Sequence, residues 1–266
     1  MRILVSNDDG ILAPGIQALA LALATEHEVT VVAPDRERSA TGHALTLHKP
    51  LRVEKVALGG AVKAAYAING TPSDCVKLAV GTLYGEAPDL VFSGINRGPN
   101  LGTDVIYSGT VSAALEGTIL GIPSVAFSLA SFSDIGYEQA AQFALVMARM
   151  LQNRRMPPKV LLNVNYPAIA EVPPQEVRVT RLGERKYTDI FEARTDPRGR
   201  TYYWLAGEVV EVEEAHDTDV TAIRENCISI TPIHYDMTYR PMIDDLKAWH
   251  VPTTLEGLSV GSQDRP

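Results

Sequence analysis

The N-terminal half of the chain alternates between short apolar runs and segments with helical periodicity, and this alternation limits the possible fold more than any other feature. The runs "RILVS" (2–6) and "EVTVVAP" (28–34) are almost continuously apolar, as in strands that are covered on both faces. Between them, apolar residues over 15–26 recur with the spacing of one buried helix face. Strand and helix in alternation predict parallel strands joined by crossover helices. The sequence therefore predicts an α/β fold with a doubly wound, mostly parallel, Rossmann-like sheet.

The same alternation continues along the chain. The segment 71–83 is the best-marked helix, because Thr71 can cap its start, Pro72 can occupy its first turn and Asp74 can complete a capping box. The other predicted helices lie at 109–121 and 137–155, and the other predicted strands lie at 51–56, 64–68, 89–94, 122–128 and 159–165.

After residue 170 or so, the sequence becomes rich in strands and turns. The segments "VRVTRL" (177–182) and "TYYWLAGEVVEVEE" (201–214) flank the turn-rich "TDPRGR" (195–200), which predicts a long β-hairpin. "NCISITPI" (226–233) predicts a last core strand, and "PMIDDLKAW" (241–249) predicts a short helix. The final 15 residues carry no periodicity and are expected to form a tail.

We expect two regions with different roles. Residues 1–173 form the α/β core, with the active site at the C-terminal ends of its strands. Residues 174–266 contain the hairpin, the last core strand and the tail, and we expect them to serve oligomerisation. Tyr202, Tyr203 and Trp204 present more aromatic surface than an isolated two-stranded hairpin can bury, which predicts a partner surface. The alternative is that this segment folds back on its own domain.

The composition excludes several classes of protein. A net charge of −8, from 24 basic and 32 acidic residues, disfavours binding to nucleic acid polymers and to anionic membranes. Cys75 and Cys227 are far apart and lack CxxC companions, so buried thiols are expected instead of disulfides or a zinc site. The sequence shows neither a membrane-length apolar run nor a signal-peptide pattern, so the expected location is the cytoplasm.

Polar side chains follow the predicted parallel strands, beginning with the two carboxylates of "NDDG" (7–10). Asn, Asp and Gly are common turn residues, so this stretch is open to interpretation as a turn alone. However, adjacent carboxylates repel each other, and a bound divalent cation removes that cost. The C-terminal ends of parallel strands meet at one edge of the sheet, so oxygen ligands for Mg²⁺, Mn²⁺ or Ca²⁺ should gather there. The polar residues after the strands are Asn7, Asp8, Asp9, Asp35, Ser39, His43, Asn96, Asn100, Asp104, Ser108 and Thr110.

The stretch "SGTVSAALEG" (108–117) adds an anion site to this edge. Ser108 can cap the helix, and the backbone N–H groups of Gly109, Thr110 and Val111 would then face the same rim. An ordinary capped helix is the alternative. A hard cation beside an anion site is the arrangement that phosphoryl chemistry requires.

Other phosphate-binding and catalytic motifs are absent from the sequence, including the Walker loop, GxGxxG and the GxSxG nucleophile elbow. The glycine-rich "SGINRGPNLG" (93–102) is interpreted as a flexible loop that supplies Asn96. His43 is interpreted as a solvated loop residue, with assistance to a leaving group as the alternative. Asp217 and Asp219 are interpreted as caps of the following helix, with metal ligation as the alternative.

Together these stretches resemble the survival protein E (SurE) family of metal-dependent nucleotidases and phosphatases. The resemblance lies in "ILVSNDDG" (3–10), "VVAPDRERSATG" (31–42), "GTPSDCV" (70–76), "SGINRGPNLGTDVIYSGTVSAALEG" (93–117), "NVNYP" (163–167) and "SITPIHYDMT" (229–238). It covers nearly the whole chain and is weakest around 185–215.

The resemblance implies a ligand set and a substrate. The metal ligands of the family fall on Asp8, Asp9, Ser39 and Asn96, which would hold one divalent ion per subunit, Mg²⁺ or Mn²⁺. The phosphate-contacting segment falls on Asn96 and on Ser108, Gly109 and Thr110. The resemblance also implies hydrolysis of nucleoside 5′- and 3′-monophosphates, with other phosphate esters as lesser substrates. It further implies homodimers or homotetramers formed through C-terminal segments.

The resulting hypothesis is a phosphoric monoester hydrolase, a 5′-nucleotidase, with Asp8, Asp9 and Asn96 as catalytic residues. The nucleophile is either a water molecule or the carboxylate of Asp8, and the sequence does not distinguish them. Two alternatives are a nucleotide-sugar transferase and a non-catalytic nucleotide or metal sensor, since binding and catalytic sites use the same groups.

Overall fold

The computed structural model describes residues 1–133, 135–168, 173–188, 190–210 and 215–249. Its strands are β1 (Arg2–Ser6), β2 (Glu28–Pro34), β3 (Val53–Val56), β4 (Ala64–Ile68), β5 (Leu90–Arg97), β6 (Ser124–Ala130), β7 (Val160–Pro167), β8 (Val177–Val179), β9 (Lys186–Tyr187), β10 (Ile190–Thr195), β11 (Thr201–Ala206), β12 (Val209–Val210) and β13 (Ile228–His234). Its α-helices are α1 (Pro14–Leu23), α2 (Pro72–Leu78), α3 (Gly109–Ile119), α4 (Tyr137–Gln152), α5 (Asp219–Arg224) and α6 (Pro241–Ala248).

Nine strands form the central sheet, in the order β3-β4-β2-β1-β5-β6-β7-β13-β8. The central pairs from β4 through β7 are all parallel, while β3 and β13 run antiparallel to β4 and β7. The chain first builds outward from β1 to β2 and β4, and then crosses to the other side of β1 with β5. The predicted doubly wound, mostly parallel α/β fold is confirmed.

Helices cover both faces of this sheet because each presents an apolar face to it. On one face α1 packs against α4, and on the other α2 packs against α3. The larger core cluster joins the first pair of helices to the sheet and contains Phe92 and Phe127, both fully buried. The second cluster lies beneath α2 and α3 and contains Cys75. Cys75 and Cys227 are both buried free thiols, as predicted.

The predicted start of α2 is confirmed in detail. The Thr71 hydroxyl accepts a hydrogen bond from the Asp74 backbone N–H, and the Asp74 carboxylate accepts one from the Thr71 N–H at 2.9 Å. Pro72 occupies the first turn. After Leu78 the helix widens into a π-helical turn over Ala79–Leu83.

The C-terminal strands differ from the prediction in one respect. β10 and β11 form the hairpin, closed by the predicted turn at 196–200, whereas β8 lies in the central sheet, parallel to β13. The prediction that 177–182 is a hairpin strand is therefore wrong. The reason is that β13 offers β8 a partner inside the main sheet, where half-buried Arg178 also pairs with Glu225.

The chain leaves the central sheet after β8 and returns to it before α5 at almost the same place. Arg181 and Thr218 form an isolated parallel bridge there, with the Asp219 N–H donating to the Arg181 carbonyl at 3.0 Å. Thr218 caps α5, so Asp217 does not serve as its cap. Asp219 is buried and accepts hydrogen bonds from the N–H groups of Gly102 and Gly183, which ties two loops together.

The chain divides into two compact units, Met1–His234 and Tyr235–Pro266. The described part of the second unit contains α6, as predicted, while the predicted tail lies outside the described residues. The functional boundary expected at 173/174 remains a prediction. None of the helices in the described part of the chain combines the length and apolar character that a membrane span needs.

Candidate functional site

The candidate site lies where the direction of sheet building reverses, between β1 and β5. β2 pairs with β1 on one side and β5 pairs with it on the other, so the connections after these strands diverge and leave a crevice. Ligands of open α/β sheets bind at such a point, outside the C-terminal ends of the strands.

The stretch that follows β1 is both a turn and a carboxylate site. The Asn7 side-chain amide donates to the carbonyl of Gly10 at 2.9 Å, which closes the turn. Gly10 has φ +100°, and a Cβ atom there would lie 3.0 Å from the backbone of Arg36, so glycine is required. The Arg38 N–H donates to the carbonyl of Asp8 at 2.7 Å, which joins the loop after β2 to this turn.

Asp8 is the most deeply buried carboxylate of the crevice, with 4% of its surface exposed. The hydroxyl of Thr110 donates a hydrogen bond to its Oδ1. Burial raises the pKa of Asp8 to about 7, and the neighbouring charge of Asp9 adds to the rise, against the hydrogen bond from Thr110. Keeping this carboxylate charged at neutral pH therefore costs free energy, and a nearby positive charge would reduce that cost.

Asp9 lies beside it in the crevice. Its Oδ2 accepts a hydrogen bond from the Arg97 backbone N–H at 3.1 Å. Partial burial raises the pKa of Asp9, and the charge of Glu37 acts in the same direction. Asp9 therefore follows the end of β1 and is fixed by a hydrogen bond from β5.

Asn96 lies within β5 and not in a flexible loop, so that prediction is wrong. The pairing of β5 with β6 shifts by one residue between Ser93 and Asn96, which is a β-bulge. Bulges re-aim side chains at active sites while the strand continues. The Asn96 amide nitrogen donates to the carbonyl of Gly98 at 2.8 Å, which leaves its oxygen on the other side of the amide.

The N-terminus of α3 closes the inner end of the crevice. Ser108 is its cap, as predicted, and accepts from the Val111 N–H at 3.1 Å, so that N–H does not face the rim. A Cβ atom on Gly109 would lie 2.8 Å from Oδ2 of Asp8, and thus only glycine allows the carboxylate to approach this closely. Thr110 turns its hydroxyl to Asp8.

Two other residues of the polar set lie on the loop after β2. Ser39 is exposed, lines the crevice and donates to the Glu37 carboxylate at 2.7 Å. His43 is not freely solvated, because its Nε2 lies 2.8 Å from Oε2 of buried Glu116, whose other oxygen accepts from Lys77 at 2.8 Å. His43 therefore anchors the loop to α3.

The residues at the inner end fit a hard divalent cation by the chemistry of their donors. Asp8, Asp9, Ser39 and Asn96 all line the same cleft and offer carboxylate, hydroxyl and amide oxygens. Among the described residues, no three His, Cys, Asp or Glu side chains come together as a metal site. Mg²⁺ is commonly held by only one or two protein carboxylates together with substrate phosphate, so two carboxylates suffice.

The cleft is much larger than this polar end, with a volume of about 1450 Å³. Side chains that sequence reasoning did not identify form its outer part, and they come from segments far apart in the chain. Arg97 and Tyr107 had a signal in the sequence, since each is the direct neighbour of a predicted site residue, Asn96 or Ser108. The main outer residues are Arg97, Tyr107, Phe132, Arg185, Tyr187 and Leu205.

Comparison with known proteins gives consistent matches over nearly the full chain. The model of the family described as "Survival protein SurE" matches residues 3–189. A curated relative from Gloeobacter violaceus, named "5′-nucleotidase SurE", is 61% identical, with 93% of this chain and 95% of the relative covered. A relative of the same name from Thermosynechococcus vestitus is 56% identical, with coverage of 94% and 96%. The crystal structure of the Sure protein from Aquifex aeolicus is 40% identical, with a TM-score of 0.82, and covers 94% of this chain and 100% of that chain.

Proposed function

This chain belongs to the SurE family, and from that premise we propose that it hydrolyses nucleoside 5′-monophosphates to nucleoside and phosphate. The relatives named "5′-nucleotidase SurE" support the reaction class. The observation within this chain that carries the proposal is the position of Asp8. It is buried, it is paired with a second carboxylate, and it lies against the N-terminus of α3. That position would bring a cation site and an anion site together.

The family is metal-dependent, and one divalent ion per subunit, Mg²⁺ or Mn²⁺, is our proposal for this chain. Asp8, Asp9, Ser39 and Asn96 would hold it. When bound, such an ion supplies positive charge that neutralises the two carboxylates and stabilises negative charge on the phosphoryl group. Without it, the carboxylates of Asp8, Asp9 and Glu37 would repel a phosphate monoester.

The start of α3 would receive the phosphoryl oxygens. Its backbone N–H groups and the helix dipole favour an anion there, and Ser108 holds the first turn in place through its cap. We propose that Ser108, Gly109 and Thr110, with the Asn96 amide, orient the phosphate. Thr110 would act in part through its hydrogen bond to Asp8, which fixes the rotamer of that carboxylate.

Two routes remain for the attack on phosphorus. In one, a water molecule is the nucleophile and the Asp8 carboxylate only binds and orients. In the other, Asp8 attacks and an aspartyl phosphate is then hydrolysed. The stereochemistry at phosphorus separates them, when the substrate carries a thiophosphoryl group made chiral with oxygen isotopes. Direct attack by water inverts the configuration, whereas two successive displacements through an aspartyl phosphate retain it.

One assay tests the proposal and its alternatives together. The purified protein is incubated with adenosine 5′-monophosphate, with and without Mn²⁺, and free phosphate is measured. Metal-dependent phosphate release supports the nucleotidase. Binding of the nucleotide without phosphate release would indicate a sensor, and turnover only with a nucleotide sugar would indicate a transferase.

We also propose that the chain forms a homo-oligomer through the β10–β11 hairpin. Directly opposed residues of a hairpin share one face, and here Phe191 faces Leu205 with Tyr203 beside them, each about two-thirds exposed. Trp204 on the other face is also exposed. An isolated hairpin with both faces apolar is marginal in water. A second copy of the chain would cover it, giving a dimer or tetramer.

The two buried free thiols fit a reducing compartment. We therefore propose that the reaction takes place in the cytoplasm.

A further inference from the structure

The cleft is too large for a phosphate group alone. Pockets for whole small molecules commonly measure about 300–1,000 Å³, and this cleft, at about 1450 Å³, exceeds that range. Its inner end carries Asp8, Asp9 and the start of α3. Its outer part is lined by aromatic and aliphatic side chains together with arginines and the Asp104 carboxylate. The outer part therefore has room and chemistry for a flat, largely apolar group attached to the phosphate.

One aromatic ring of the outer part is fixed in place by an acidic residue. The Tyr187 hydroxyl donates to Oδ2 of Asp104 at 2.7 Å, and Nε of Arg185 lies 3.3 Å from the same oxygen. The Arg185 guanidinium lies 5.7 Å from the centre of the Tyr187 ring, which is within cation–π distance. Asp104 and Arg185 are themselves mostly buried. Tyr187 is thus held at two points while 42% of its surface stays exposed.

This acidic residue also connects the ring to the phosphate end of the cleft. Asp104 lies in a 3₁₀ helix over Gly102–Ile106 that leads through Tyr107 directly to Ser108, the cap of α3. The Tyr107 N–H donates to the Asp104 carbonyl at 3.0 Å. The Thr103 hydroxyl donates to the Arg185 carbonyl at 2.9 Å. Only a short, hydrogen-bonded segment, 104–108, therefore separates the Tyr187 ring's partner Asp104 from Ser108, where the phosphate of a ligand would bind.

We propose that the outer part of the cleft binds the nucleoside portion of the substrate, with the Tyr187 ring as the surface on which the base stacks and Asp104 as the residue that positions it. This inference rests on the proposed nucleotidase function and adds a subsite to it. Every nucleobase has a flat π-face, so stacking on an aromatic ring tolerates different bases. The subsite accordingly favours nucleotides over other phosphate esters without selecting one base.

Burial raises the pKa of Tyr187 to about 12, with the hydrogen bond to Asp104 acting in the same direction. Its hydroxyl therefore keeps its proton at neutral pH and remains a donor. The hydrogen bond from this hydroxyl to Asp104 orients the ring. Replacing the hydroxyl should therefore loosen the ring, and removing the ring should abolish stacking.

The test compares two substrates that differ only in the base. We measure kcat/KM for adenosine 5′-monophosphate and for ribose 5-phosphate, and form their ratio for each variant. Stacking is worth roughly 5- to 150-fold per base. The ratio is expected to fall about fivefold or more in Tyr187→Leu and to fall less in Tyr187→Phe, which keeps the ring. Tyr239→Leu is the matched control, because Tyr239 is exposed, lies outside the hairpin and does not line the cleft. Its ratio should equal that of the wild type.

An equal loss on both substrates in Tyr187→Leu, or no loss on either, would overturn the inference. If the wild-type protein releases phosphate from neither compound, the proposed function has failed, and that outcome is distinct. Competitive inhibition by adenosine gives a second measurement in case Tyr187→Leu does not fold. In Asp104→Asn, the inhibition constant for adenosine is expected to rise while that for inorganic phosphate changes little. An unchanged constant for adenosine would refute the positioning role of Asp104.

Discussion

Gly109 and Asp8 are packed so closely that a Cβ atom on Gly109 would lie 2.7 Å from the Cβ atom of Asp8. Real Cβ atoms do not approach this closely, so a side chain at position 109 must displace either the carboxylate or the start of α3. The glycine is therefore part of the geometry of the candidate site, although it carries no functional group.

Gly109→Ala is accordingly expected to reduce kcat/KM for adenosine 5′-monophosphate on the order of 100-fold, the scale of a displacement of about 1 Å at a reacting centre. Gly81→Ala is the matched control, because a Cβ atom there meets nothing within 4 Å. Steady-state kinetics with both variants check this. Wild-type activity in Gly109→Ala would show that the position of Asp8 tolerates this displacement.

Asp8→Asn is expected to lower kcat by at least roughly 100- to 1,000-fold, because one strong electrostatic contribution is lost while the shape is kept. Asp35→Asn should have far less effect, since Asp35 is exposed and pairs with Arg38 at 3.3 Å. Both variants are measured at saturating Mn²⁺. Similar losses in the two would mean that the catalytic centre lies elsewhere.

Activity is expected to disappear in excess EDTA and to return with Mg²⁺ or Mn²⁺, since the inner end of the cleft is lined by three carboxylates, Asp8, Asp9 and Glu37. Metal binding to the folded state should also raise the melting temperature. The rise should occur in the wild type and be reduced in Asp9→Asn. Full turnover after exhaustive chelation would rule out the metal site.

Glu116 gives a pH-dependent test of the anchor between the loop after β2 and α3. Burial opposes its charge, but hydrogen bonds from His43 and Lys77 lower its pKa below the ordinary value of 4.5. A depressed carboxyl pKa stabilises the fold above the unfolded pKa, and this contribution is lost as pH falls through the folded value. Above pH 5, Glu116→Gln should reduce the free energy of unfolding by roughly 1–3 kcal/mol.

The difference between Glu116→Gln and the wild type should then shrink below about pH 4.5, as measured by urea unfolding across pH. Glu54→Gln, at an exposed position on an edge strand, should show no comparable trend. If the difference in the free energy of unfolding stays constant below about pH 4.5, the stabilising role assigned to charged Glu116 is contradicted.

The proposed oligomer predicts the behaviour of surface variants in the hairpin. Phe191→Asp combined with Tyr203→Asp puts two charges on one exposed apolar face. The assembly is expected to dissociate into a smaller species by sedimentation, with circular dichroism unchanged. Thr195→Asp with Thr201→Asp, opposed on the same face, is the polar control. A wild-type protein that sediments as a monomer at micromolar concentration would contradict the proposal.

The sequence was most informative where burial on both faces leaves a continuous apolar run. The strands at 28–34 and 64–68 were predicted to the residue, because almost every side chain in them had to be apolar or small. The sequence pattern places Asn96 in a loop because three glycines surround it, whereas it lies in β5. In the structure Gly94 packs so tightly against the Phe127 carbonyl that only glycine fits, and the strand continues through it.

The candidate site was predictable in part for the same reason. Side chains at strand ends are fixed by topology, so Asp8, Asp9 and Asn96 were expected at one edge and line one cleft. Arg185 and Tyr187 were not foreseen, since their place depends on hydrogen bonds to Asp104, about 80 residues earlier in the chain. Local pattern carries no information about such pairs.

The bridge between Arg181 and Thr218 marks the point at which the chain leaves the central sheet and rejoins it. The chain between them begins and ends at one point of the sheet, so altering its length changes the loop-closure entropy only slowly. The residues that would carry out the chemistry lie outside this excursion, while Tyr187 lies within it. A change in the length of this excursion would therefore alter the surroundings of Tyr187 while the side chains at the strand ends keep their places.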